Sequence, residues 1–237
     1  MTGPALIRST ARAVTVATVA AAAAYAAYVT NTWKSYGNPP APGLDGNDEL
    51  LDRFMPEYDV VDRRSIAIAA PAAEVLAAAK EQDLFDLPLV HAIFRARELA
   101  LGASPGEPAL PRGLLAATRW LGWGVLADRP DREIVVGAVT KPWEPHVTFR
   151  ALPPDEFAAY HTPGDVKIIW TLRVDPVDSG RSIFRTETRA VATDPIARER
   201  FRSYWSLVSP GVSAIRWLSL RALKRDAERR SAGEEAA

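Results

Sequence analysis

The chain has 237 residues, is 48% hydrophobic, and carries 29 Lys and Arg against 29 Asp and Glu, so its formal net charge is zero. This length allows one or two globular domains, and a zero net charge leaves no electrostatic footprint for nucleic acid, which we therefore exclude as a partner. The absence of cysteine excludes disulfides, cysteine-ligated zinc, iron–sulfur clusters and a thiol nucleophile. The three histidines, His91, His146 and His161, lack metal-ligand spacing, so we expect neither a metal nor a cofactor.

The N-terminal segment, residues 1–36, has the composition of a membrane anchor or signal segment. No charged residue occurs among the twenty-one positions from Ala13 to Trp33, and a helix of that length spans about 31 Å, enough to cross a bilayer. Because alanine contributes little to insertion, the sequence predicts a marginal transmembrane helix. Arg8 and Arg12 precede it, which predicts a membrane-anchored protein with its domain on the extracytoplasmic side. A cleaved signal peptide, giving a secreted protein, and an alanine-rich soluble helix or leader, giving a cytoplasmic one, are the alternatives.

Residues 37–54 read as a linker and an acidic spacer that precede the folded domain. The prolines and glycines from Gly37 to Gly43 cannot continue a helix, and the acidic stretch after them is compatible with a short one. We place a single ligand-binding domain at residues 55–230 and a disordered tail at 231–237. The domain starts with a β-branched strand at 58–69, followed by helices at 72–80 and 89–102.

The middle of the domain is predicted to form antiparallel strands. A proline-rich loop at 104–112 and a short helical turn at 113–121 lead into a strand pair at 124–127 and 133–139. A further strand is predicted at 143–152, and a polar connection with a short helix at 153–163. Residues 166–174 and 183–192 form the clearest hairpin, with the turn sequence Asp175 to Gly180 between them.

The last element is a long amphipathic helix at residues 195–229. Apolar residues from Phe201 to Ala222 recur every three to four positions, which predicts one stripe packed against a large surface. Pro210 and Gly211 predict a curved or broken helix at that point. The mixed charges toward its end predict a solvated helix terminus; they include Arg216, Arg221, Lys224, Arg225 and Asp226.

This order of elements predicts an α+β fold in which a curved antiparallel sheet wraps around the long C-terminal helix. The segments APAAEVLAAAKEQDLFDLPLV, PDREIVVGAV and TETRAVATDPIARERFRSYWSLVSPGVSAIRWLSLRALKRDAE resemble bacterial members of the SRPBCC superfamily. This is the START-related helix-grip group that includes polyketide cyclases, dehydrases and lipid-transport proteins. The resemblance covers residues 58–229 and implies a seven-stranded sheet that grips the helix over an apolar cavity; six strands are placed by the residues themselves.

The predicted strand at 183–192 carries the most prominent charged candidates. Glu187 and Arg189 share one face of it with Arg185, because alternate residues of a strand point the same way. If that face is exposed, these residues form a cross-strand ion-pair ladder worth under about 1 kcal/mol. If it lines the cavity, Glu187 and Arg189 form a partly desolvated dyad that orients a polar ligand group or moves a proton.

Large aromatic residues are the candidates for an apolar pocket wall. We single out Trp143, Trp170, Phe201 and Trp205, whose rings serve core packing equally well. On the strand at 166–174, Trp170 belongs to the apolar set that we expect to face inward.

Three functions follow from a helix-grip domain of this kind. The first is binding, transport or sequestration of a hydrophobic small molecule or lipid near the membrane. The second is a cyclase or dehydratase activity that uses the same cavity, for which no catalytic constellation is visible; no phosphate-binding glycine loop or hydrolase motif occurs. The third is a partner-binding module with a filled core. A cavity of several hundred Å³ separates the first two from the third, and ionisable groups converging inside it separate enzyme from binder.

Overall fold

A computed structural model describes residues 3–41, 48–84, 88–102 and 110–234. Its seven helices are α1 (Gly3–Ser35), α2 (Glu49–Phe54), α3 (Ala72–Glu81), α4 (Pro88–Ala100), α5 (Leu114–Trp120), α6 (Pro154–Ala159) and α7 (Pro195–Glu234) within those ranges. Its strands in the same ranges are β1 (Val60–Ile68), β2 (Gly124–Arg129), β3 (Glu133–Thr140), β4 (Phe149–Arg150), β5 (Val166–Asp178) and β6 (Arg181–Ala192). Most of the predicted loop at 104–112 and part of the predicted linker lie outside the described residues.

The strands form one antiparallel sheet in the order β1-β6-β5-β3-β2, with β4 pairing to β3. The first strand therefore lies beside the last, with Val60 opposite Ala190. Register shifts in β2 and near the end of β5 bend the sheet locally. This α+β architecture, a curved antiparallel sheet against a long C-terminal helix, confirms the predicted fold class at that level. A seventh strand is not found among the described residues.

Both faces of the sheet are covered. The inner face packs against α3 and α7, and its buried cluster includes Ile134, Leu172 and Phe184. The outer face packs against α2 and α6, through residues such as Leu51 and Phe157. Each strand divides its residues between the two layers by alternation. All eight residues of β3 are consequently buried, as expected for a central strand covered on both sides.

The hairpin turn and the strand at 143–152 differ from their predicted bounds. The hairpin turn is shorter than the expected 175–180, because β5 continues to Asp178 and β6 begins at Arg181. Pro176 is accommodated next to an irregularity in the ladder, where a missing N–H is tolerated. The predicted strand at 143–152 is reduced to Phe149–Arg150. Pro142 and Pro145 cannot donate to a neighbouring strand, which explains why residues before β4 leave the ladder.

The helix α7 runs for 40 residues and is not broken at Pro210. Its first turn is capped by Asp194, whose Oδ1 accepts hydrogen bonds from the N–H groups of Ile196 and Ala197. A side chain at Gly211 would contact Ile93 Cγ2 at 2.9 Å, so the glycine lets α4 approach α7 closely. The helix extends beyond the predicted end at Arg229 into the predicted disordered tail, of which residues 235–237 lie outside the described part.

The N-terminal segment forms the helix α1, but the predicted transmembrane span is not supported. Among the described residues, no helix combines the length and the apolar character needed to cross a bilayer. The helix α1 is long enough to cross a bilayer, but it is not apolar enough, because alanine is the commonest residue in its uncharged stretch. The helix contacts α7: Tyr25 donates a hydrogen bond to the carbonyl of Leu207 at 2.8 Å, and Arg202 Nε donates to that of Trp33 at 3.0 Å. Signal cleavage and location remain predictions.

Tyr36 joins the end of α1 to the folded domain. Its side chain is buried, its ring meets that of Phe201 edge-on at 6.0 Å, and its hydroxyl donates to Asp59 Oδ2 at 3.2 Å. Burial and the Asp59 carboxylate raise the pKa of Tyr36 far above its usual range, so it stays a neutral donor.

We expect Tyr36→Phe to lower the free energy of unfolding by about 1 kcal/mol, because the ring contact is kept while one buried hydrogen bond is lost. Urea denaturation followed by circular dichroism measures this difference. Tyr25→Phe is the matched control on the exposed side of α1, with an expected loss below about 0.5 kcal/mol. Equal losses in the two variants would contradict the assigned role of Tyr36.

Candidate functional site

A cavity of about 210 Å³ lies between α7 and the inner face of the sheet. Strands β5 and β6 form its floor, α7 forms its roof, and residues of α3 and α5 close its sides. The lining residues are Ala79, Gln82, Leu84, Leu114, Trp170, Leu172, Phe184, Thr186, Thr188, Val212, Ile215, Arg216, Ser219, Leu220 and Leu223. Most of these side chains are apolar, so the walls favour an apolar occupant.

Alternation along the strands explains which residues reach the cavity. Trp170 and Leu172 come from β5, and Phe184, Thr186 and Thr188 come from β6, at every second position. The Trp170 ring is held edge-on against Trp123 at 6.3 Å, which fixes one wall.

Arg216 supplies the charge of the cavity. Its side chain is largely buried, with 14% of its surface exposed to solvent. Its guanidinium donates to the hydroxyl of Thr188, to both the hydroxyl and the carbonyl of Thr186 at 3.3 and 3.2 Å, and to the carbonyl of Asp62 at 3.3 Å. The buried Nε has no hydrogen-bond partner. Burial lowers the pKa of Arg216 from its usual value, against the raising effect of Asp62. This guanidinium is therefore held in place but incompletely neutralised.

The charge next to the cavity is unbalanced. Asp62 lies 3.6 Å from Arg216 Nε, but its carboxylate also pairs with Arg64 at 2.7 Å. Within the described ranges, Asp62 is the one carboxylate found within 4 Å of the guanidinium groups of Arg64 and Arg216, so these two cations share one anion. Arg64 also donates to the hydroxyl of Ser213 on α7 at 3.0 Å. One positive charge is left over beneath α7.

Two further polar residues of the lining, Gln82 and Ser219, donate hydrogen bonds to carbonyl groups of α7. Gln82 Nε2 donates to the carbonyl of Ser219 at 2.9 Å, and the Ser219 hydroxyl donates to the carbonyl of Arg216 at 2.8 Å. Of the described residues that line the cavity, Arg216 alone is ionisable. A guanidinium stays protonated and does not act as a general base.

The structure separates the predicted aromatic residues. Trp170 lines the cavity. Trp143, Phe201 and Trp205 instead belong to another cluster, together with Tyr36, and are not among the described lining residues. The rings of Phe201 and Trp205 lie 6.0 Å apart, so they pack against each other near the start of α7. Phe201 is buried in this cluster, and Trp143 and Trp205 are partly buried and pack against it.

Glu187 and Arg189 lie on the outer face of β6, opposite Thr186 and Thr188. They are neither exposed nor in the cavity, so neither predicted environment is found. Arg189 is 2% exposed; it donates to Glu187 at 2.6 Å, to Asp52 at 2.6 Å and to the Met55 carbonyl at 2.8 Å. Glu187 also pairs with Arg63 at 3.0 Å. The helix α2 covers this network, and the network joins α2 to the sheet.

A second buried carboxylate, Glu133, was not singled out by the sequence. It lies in β3 on the outer face and accepts a hydrogen bond from Thr171 at 3.3 Å. Burial, then a hydrogen bond to Asp48 and the charge of that residue, raise the pKa of Glu133 to about 7. Asp48 itself caps α2, accepting from the N–H groups of Leu50 and Leu51. The signal that could have found Glu133 is its place within an otherwise apolar strand.

The histidines do not contribute to the cavity. His91, His146 and His161 are all exposed, and none is among its described lining residues. In the described part of the chain, no group of three His, Asp or Glu side chains is arranged to hold a metal ion.

The fold and the cavity define an α+β protein with a partly open, mainly apolar site and one buried cation. No family model matches the chain, and no curated protein matches it. Among solved structures, a solution structure from Thermobifida fusca is 18% identical over 71% of this chain and 93% of that one, with a TM-score of 0.32. A Helicobacter pylori protein covers 79% of this chain and 99% of its own at 7% identity and a TM-score of 0.39. An aromatase/cyclase from Streptomyces sp. R1128 covers 72% and 94% at 14% identity and a TM-score of 0.23. Scores this low identify neither a family nor an activity.

Proposed function

We propose that the protein binds a small hydrophobic molecule in the cavity beneath α7, as expected of an SRPBCC-like domain. The observation that carries the proposal is the partly open space between the sheet and α7, with apolar walls on several sides. Typical pockets for drug-sized ligands have about 300–1,000 Å³. At about 210 Å³, this cavity is smaller than the several hundred Å³ expected from the sequence, so it favours a smaller ligand, or one aliphatic chain of a larger lipid.

The cavity supports binding over the two alternatives from the sequence. A partner-binding module with a filled core needs no internal space of this size. A cyclase or dehydratase needs an acid–base pair, and the described lining residues offer one permanently charged guanidinium. Binding requires only the apolar walls and a polar group that orients the ligand.

Octan-1-ol is a suitable probe, because its single short chain fits a small apolar space. We expect saturable chemical-shift changes in the full-length protein, concentrated at Trp170, Thr186 and Thr188, when octan-1-ol is titrated and followed by NMR. Ala79→Leu partly fills the cavity, so it should weaken binding at least about fivefold while the fold is retained, at a stability cost of about 1–3 kcal/mol.

Ala77→Leu is the matched control, since Ala77 lies on the same helix but is exposed. It should leave the octan-1-ol affinity unchanged. Shifts that do not saturate, or that cluster away from the cavity, would contradict the proposed function. Equal weakening by Ala77→Leu and Ala79→Leu would also count against this site.

A further inference from the structure

We infer that the ligand carries a carboxylate, which Arg216, Thr186 and Thr188 hold at the polar end of the cavity. This inference rests on the proposed function and adds the chemical class of the ligand. It assigns a recognition role to Arg216, a residue whose sequence context predicts a solvated helix end.

The first support is the arrangement of hydrogen-bond donors. Each threonine hydroxyl accepts a hydrogen bond from Arg216, which leaves its own O–H free to donate. The guanidinium has no acceptor atoms, and its Nε makes no hydrogen bond, with the Asp62 carboxylate 3.6 Å away. This end of the cavity therefore offers donors, and it fits a ligand group that only accepts hydrogen bonds. An ionised carboxylate is such a group, whereas an amine is not.

The second support is the uncompensated charge. Arg64 and Arg216 share the single carboxylate of Asp62, and Asp62 lies closer to Arg64. A buried cation without a full counterion is costly, and an anion that enters the cavity removes that cost. Glu187 also attracts Arg216 through the sheet, but it pairs directly with Arg63 and Arg189 on the opposite face.

The third support is the contrast between the polar end and the rest of the cavity. Apart from Arg216 and the two threonines, the polar side chains that line it, Gln82 and Ser219, are bonded to carbonyl groups of α7. The remaining wall is apolar, with Trp170, Leu220 and others. This geometry suits a short amphipathic acid, with its carboxylate at Arg216 and its chain along the apolar wall.

The test compares octanoate with octan-1-ol, two probes with the same chain length and different head groups. Isothermal titration calorimetry of the full-length protein at pH 7.5 should show octanoate binding about tenfold or more tightly, because charge-assisted hydrogen bonds form only with the carboxylate. Arg216→Met should weaken octanoate binding far more than octan-1-ol binding, and so lose the preference for octanoate. Arg221→Met is the control on the same helix; Arg221 lies over the exposed ring of Trp217, and its loss should leave the preference intact.

Thr188→Val is the second variant, because it keeps the shape of the side chain and removes one donor. It should weaken octanoate binding several-fold more than octan-1-ol binding, which keeps the test decisive should Arg216→Met fold poorly. Equal affinity of the wild type for both probes, or an unchanged preference in Arg216→Met, overturns the carboxylate inference and leaves the proposed function standing. If neither probe binds saturably, the proposed function itself fails.

Discussion

Arg189→Met is expected to lower the free energy of unfolding by about 3–5 kcal/mol, the usual cost of removing one partner from a buried ion pair. Arg189 is among the largest fully buried side chains, and it joins Glu187 in β6 to Asp52 and the Met55 carbonyl at α2. Methionine fills similar space without donating, so one oxygen of the buried Glu187 and the Met55 carbonyl lose their partner. Urea denaturation of the wild type and the variant measures the difference.

Arg185→Met is the matched control for this prediction. Arg185 lies on the same face of β6, is partly exposed, and pairs with Asp175 at 2.8 Å. Its loss should cost no more than about 1 kcal/mol, as for exposed ion pairs. In the double variant Glu187→Gln/Arg189→Met, the buried negative charge is also gone, so part of the stability should return. If Arg185→Met and Arg189→Met lower the free energy of unfolding equally, the network under α2 does not contribute the expected stability to the protein.

The second large effect is a pH dependence of stability caused by Glu133. Its pKa is about 7 in the folded protein, against an ordinary value of 4.5, so the folded state binds the proton more tightly than the unfolded chain does. The stabilising contribution is therefore fully present below pH 4.5 and is lost as the pH rises through 7. Between pH 5 and pH 8 we expect this carboxyl to remove up to about 3 kcal/mol from the free energy of unfolding.

Glu133→Gln should abolish that dependence, because glutamine mimics the protonated side chain at every pH. The measurement is urea denaturation at pH 5, 6, 7 and 8, with the slope of the wild type compared with that of the variant. Glu57→Gln, at an exposed position, should keep the slope of the wild type. If the free energy of unfolding depends on pH in the same way in the wild type and in Glu133→Gln, the raised pKa of Glu133 is ruled out.

Local patterns predicted much of this fold, and the failures have identifiable physical causes. The hairpin of β5 and β6 was found because β-branched residues alternate on both sides of a turn sequence, which is information within the segment itself. The strand predicted at 143–152 failed because Pro145 lies inside it and Pro142 just before it, and neither has an N–H to donate to a neighbouring strand. The uncharged run from Ala13 to Trp33 predicted a helix, but α1 is longer, from Gly3 to Ser35, and its contact with α7 depends on residues far away in the sequence.

The candidate site was harder to predict, because it depends on which strand face α7 covers. Trp170 was found by alternation, since it belongs to the apolar set of β5. Glu187 and Arg189 were candidates for the cavity or for an exposed face, and the presence of α2 over that face could not be read from β6 alone. Arg216 was missed, although it lies four residues after Val212 and four before Leu220, on the side of α7 that faces the cavity.

The pairing of the first strand with the last strand has a consequence for how the protein is made. While a ribosome has released the chain only as far as β5, β1 lacks its partner, because among the described strands it pairs with β6. The apolar inner face stays open for longer still, until α7 emerges after β6. Contacts this distant in sequence slow folding and leave apolar surface and strand edges exposed in the growing chain. We therefore expect the domain to fold as one unit after β6 and α7 have been synthesised, and to depend on chaperones before then.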